Sequence, residues 1–190
     1  MLTLNEILAQ LHVCSEARQW AATQPDARTA WCNCPRGDWL LRGAVMLGIE
    51  HKTIIAAACD CAELALPYVA KGEDRPQKTV DIIRAWLVGE ATLDEVRTAA
   101  RAADAAWAAW AAETPAAARA ARAAAAAARA AWAAEAATAA PASAAAAAWI
   151  VATARADARS GTLKQCADIV RSRITWEHIA EAVNQKCLTH

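Results

Sequence analysis

Five residues that could do chemistry fall within the short run CNCPRGDW at 32–39: Cys32, Cys34, Arg36, Asp38 and Trp39. Pro35 and Gly37 make this a turn. Asp38 is placed to cap a helix over 39–47, its carboxylate accepting free amides at the positive end of the helix dipole. The other role is recognition, in which Arg36 presents a bidentate donor fork to an anionic partner. A metal fits poorly, because Cys-x-Cys lacks the two-to-four-residue spacer of zinc knuckles. Cys59 and Cys61 do no better, standing about 200° apart on a helix.

Asp60 and Glu63 lie one turn apart in the otherwise apolar stretch 56–66. Paired carboxylates can do acid/base work if both face a cleft, although such pairs are more often a solvated face. A buried Asp60 needs a cation, and Arg36, Arg75 and Arg171 are the candidates. Asp168 makes the same demand. Gly72-Glu73-Asp74-Arg75-Pro76 reads as a loop whose acids lead into a helix at Pro76. The candidate ligand- or partner-binding residues are therefore Arg36, Asp38, Trp39, Asp60, Arg75, Asp168 and Arg171, and they are expected to gather in one polar cluster.

Further along, Arg119, Arg122 and Arg129 share about 80° of one helical face, with Trp132 about 60° further round. They could meet a phosphate and a base, or simply keep an Ala-rich helix soluble, and the sequence leaves both readings open. His12, His51, His178 and His190 are scattered, no Ser or Cys stands at a recognisable catalytic spacing, and no Gly-rich phosphate loop exists. The expectation is a protein that is not an enzyme and takes no cofactor and no metal.

The elements that must position these residues follow from composition. The chain has 190 residues with 20 Lys+Arg against 20 Asp+Glu, a formal net charge of +0. That removes the nonspecific attraction of DNA, RNA or an anionic membrane. Apolar residues are 57% of the chain, but 57 residues are Ala, so large side chains for burial are few. Nine Trp and one Tyr stand with no Phe. The uncharged run 136–154 is long enough for a membrane span, yet it is mostly Ala with Pro141 and Ser143, too weakly apolar to insert. Neither a secretion signal nor a span is expected, so the protein is placed in the cytoplasm. Seven Cys, an odd number, then favour reduced and mostly buried thiols.

Capping boxes at Thr3 with Glu6, Thr92 with Glu95 and Thr162 with Gln165 open helices, as do Pro115 and Pro141. Gly48, Gly72, Gly89 and Gly161 suit left-handed C-caps. The fold predicted is all-α, a compact array of about nine helices with a central Ala-rich, Trp-punctuated tract. It forms a single domain over 1–190, with amphipathic helices in 1–89, Ala-rich helices in 90–160 and C-terminal helices in 161–190. Ile55, Cys59, Ala62, Leu66 and Val69 recur at three and four residues and should face the core, with Ile169, Ile174, Trp176, Ile179 and Val183 in the tail. Ala120, Ala124, Ala127, Ala131 and Thr138 share a flat face that lets another helix approach, and such faces also offer a route to homo-oligomers.

The strings CPRGDWLL at 34–41, AACDCAELAL at 57–66, GEDRP at 72–76 and LKQCADIVRSRITWE at 163–177, together with the Trp-punctuated Ala tract, resemble a group of Ala-rich bacterial and phage-type proteins. Members with related patterns are labelled immunity proteins of polymorphic-toxin systems. The resemblance implies a role in microbial conflict through binding. Its first form is a protein that blocks a toxin or defence effector. Beside this reading stand two others: a sponge whose candidate residues sequester an anionic nucleotide signal, and a structural or scaffold protein.

Overall fold

The structure, a computed structural model, describes residues 14–69, 71–110, 126 and 159–188. The expected helix at Thr3, the Ala-rich faces beyond 110, Arg119, Arg122, Arg129, Trp132 and Trp149 lie outside the described residues. Among the described residues there are eight α-helices: α1 Ser15–Ala22, α2 Ala27–Asn33, α3 Gly37–Leu47, α4 His51–Glu63, α5 Arg75–Leu87, α6 Leu93–Trp110, α7 Arg159–Arg173 and α8 Trp176–Leu188. A single 3-10 turn, Leu66–Tyr68, follows α4. The fold is all-α, with no strand among the described residues. None of these helices is long and apolar enough to cross a membrane.

Local chemistry sets most helix ends. Asp26 caps α2 by accepting from the Thr29 amide at 2.7 Å. Gly48, at φ 84°, ends α3 while Ile49 N–H reaches back to the Ala44 carbonyl at 3.0 Å. Gly89, also at φ 84°, lets Glu90 N–H reach Ala85 in the same way after α5. This paired closure satisfies the last carbonyls of a helix and needs a left-handed residue that glycine adopts without strain. Thr92 and Glu95 close a reciprocal box at the start of α6. The Thr92 amide donates to Glu95 Oε2 at 2.7 Å, and the Glu95 amide donates to Thr92 Oγ1 at 3.3 Å.

The other expected box fails. α7 is described from Arg159, so Thr162 lies inside the helix with its side chain buried, and Gly161 is a helical residue without a positive φ.

α7 packs across both α3 and α4. α8 continues against α2 and α3, while α5 joins α4 to the α5–α6 hairpin. The shared core holds Leu41, Ile55, Val80, Ile83, Val96, Val170 and Ile174, each essentially without solvent. Burying side chains of this kind contributes about 1.5–3 kcal/mol apiece. Ala44, Ala57, Ala58, Ala103 and Ala167 are equally buried, so alanine serves this core as a contact surface between closely approaching helices. Ala126, the single residue described between 111 and 158, belongs to the same core. Among the forecast core positions, Ile55, Cys59, Ala62, Ile174 and Ile179 are buried, whereas Leu66, Val69, Ile169, Trp176 and Val183 are partly buried against it.

Candidate functional site

The turn from Cys34 to Asp38 links α2 to α3, and α7 packs onto it. Gly37 is where they meet. A Cβ built on Gly37 would lie 2.5 Å from Cys166 Cβ and 2.8 Å from the Ala167 backbone nitrogen, so only glycine lets α3 start here against α7. Arg171 on α7 then reaches over, its Nη1 donating to the Cys34 carbonyl at 2.7 Å and its Nη2 to Asp168 at 2.5 Å.

Asp38 is not the helix cap that the sequence suggested. It lies in the first turn of α3, and its carboxylate takes the Arg36 fork, Nε to Oδ1 at 2.8 Å and Nη2 to Oδ2 at 2.7 Å. A carboxylate two residues from an Arg on the same turn makes this closure local, and bidentate geometry outcompetes a single amide bond. The hydrogen bond that Arg36 donates to Asp38 is the main reason that the Arg36 pKa is raised. The remaining Nη1 faces Glu16 of α1 at 3.4 Å. The guanidinium also covers Trp39, 4.3 Å from the ring centroid, and Trp20 of α1 tilts against that ring at 6.1 Å. Arg36 therefore binds its own chain from several directions.

Asp60 has partners other than those expected. Its Oδ1 meets Arg84 Nη2 of α5 at 3.0 Å, and its Oδ2 meets Arg173 Nε of α7 at 2.8 Å. Glu63 joins through Arg84 at 2.7 Å. This group ties α4, α5 and α7 together, and neither Arg36, Arg75 nor Arg171 takes part. Arg75 instead pairs with Glu73 two residues before it, and Glu73 also accepts from the Arg75 amide at 3.0 Å. Asp74 pairs with Lys78 at 2.7 Å.

The single cluster expected from the sequence is thus resolved into separate groups. Arg36, Asp38, Trp39, Asp168 and Arg171 surround the α2–α3 turn and its α7 contact. Asp60 belongs to the Arg84–Arg173 group, and Arg75 to the loop before α5. Sequence reasoning read Gly37 only as part of a turn and missed Glu16, Trp20, Arg84 and Arg173. Arg173 was signalled faintly by the Arg-Ser-Arg triplet at 171–173, which offers two guanidinium groups on different sides of one helix.

The buried thiols are not poised for chemistry. Six described cysteines are free, with Cys14 and Cys32 exposed and Cys34, Cys59, Cys61 and Cys166 buried. Burial pushes Cys34 up to about 11 and Cys59 up to about 12. Cys61 is raised first by its hydrogen bond to Cys166 and then by burial. Among the described residues no group of three His, Cys, Asp or Glu could hold a metal ion.

Compared with protein families, residues 48–172, about two thirds of the chain, match the family described as Imm-5 like putative immunity protein. The match takes in Asp60, Arg75, Asp168 and Arg171 and begins after Arg36, Asp38 and Trp39. No curated protein and no solved structure matches the chain.

Proposed function

The chain belongs to the Imm-5 like immunity family, and from that premise we propose that it is a non-enzymatic protein that binds and blocks a protein toxin or effector in the cytoplasm. The family match carries this reading. The geometry supports it, since Asp60 joins α4 to α5 and α7 through Arg84 and Arg173 and Arg171 reaches the Cys34 carbonyl, so these polar side chains serve to fix elements to one another. A rigid surface of that kind suits docking, where preorganised groups lose little freedom on association.

A nucleotide sponge receives less support. Its arginines would have to converge on one concave site, and Arg36, Arg75 and Arg171 each close on a carboxylate of their own neighbourhood. Coexpression tests the proposal. If the proposal holds, the protein encoded by a gene adjacent to this one should arrest growth when expressed alone, and coexpression of this chain should restore growth and yield a complex that copurifies. Unrelieved arrest would overturn the toxin-blocking reading. A melting temperature raised by a cyclic dinucleotide or an ADP-ribose derivative, and not by the neighbouring protein, would replace it with the sponge.

A further inference from the structure

We draw no further inference here: the strongest candidate, the groove between the facing sides of α5 and α6, carries nothing because its charges are answered beside them, Arg75 by Glu73, Lys78 by Asp74 and Asp94 by Arg97, and nothing in the structure shows what covers it.

Discussion

Gly37 at the start of α3 and Cys166 in the middle of α7 approach so closely that a Cβ on Gly37 would lie 2.5 Å from that of Cys166, with α7 backbone atoms at 2.7 and 2.8 Å. Backbone cannot swing aside as the end of a flexible side chain can. Gly37→Ala should therefore force α3 and α7 apart and cost on the order of 3 kcal/mol, the upper range for overpacking. Gly43, six residues along the same helix, has nothing within 4 Å of its would-be Cβ. Gly43→Ala should stabilise by about 0.5–1 kcal/mol through helix propensity alone. Urea unfolding of both variants checks the pair, and equal effects would show that helix propensity rather than the α3–α7 contact governs this segment.

Glu95 provides a pH-dependent cap. Its carboxyl is held below the ordinary value of 4.5, first by the Thr92 amide and then by the Thr92 hydroxyl. A carboxyl whose pKa is depressed on folding stabilises the protein above its unfolded pKa and ceases to do so as pH falls through the folded value. Glu95→Ala should thus melt below wild type at pH 7, and the gap should narrow as pH drops below 4.5. Melting curves at pH 7, 5, 4 and 3 measure it. A constant gap would mean that the charge on Glu95 contributes nothing to the cap.

These two features show what could be read in advance. The Thr92–Glu95 box and the glycine ends at Gly48 and Gly89 depend on residues three to five apart, so their sequence signature is nearly their structure. The partners of Asp60 were out of reach because Arg84 and Arg173 are 24 and 113 residues away. Which arginine of α7 meets Asp60 depends on the rotation of that helix, and its seating against α3 is set by the bare backbone at Gly37. Local signals also fail when packing overrules them. Thr162 has the pattern of a cap and is instead buried within α7.

Thiol reactivity should follow burial. At pH 8, iodoacetamide should modify Cys14 and Cys32 within minutes, while Cys34, Cys59, Cys61 and Cys166 remain unmodified until the chain is unfolded in urea. Two factors act together, since burial blocks access and also holds Cys34 near 11 and Cys59 near 12, leaving almost no thiolate. Peptide mapping after timed quenching resolves the sites. Rapid modification of Cys61 or Cys166 under native conditions would show that the α4–α7 contact opens readily.

Asp60 is the strongest test of what the charged side chains contribute. It shares its two oxygens between Arg84 and Arg173, and its side chain is 19% exposed while both arginines are nearly half exposed. Complete burial of such a pair would make loss of one partner cost about 3–5 kcal/mol. Solvent at the two guanidinium groups screens the interaction, so Asp60→Ala should cost about 1–2 kcal/mol. A double-mutant cycle with Arg173→Ala isolates the bond that reaches from α4 to α7, and the coupling should be about 0.5–1 kcal/mol and shrink in 1 M salt. The same cycle between Asp60 and Arg36 should be additive within about 0.3–0.5 kcal/mol, the scatter found for independent sites. Additivity with Arg173 and coupling with Arg36 would reverse the assignment, restoring the single polar cluster and removing the tie that holds α4, α5 and α7 together.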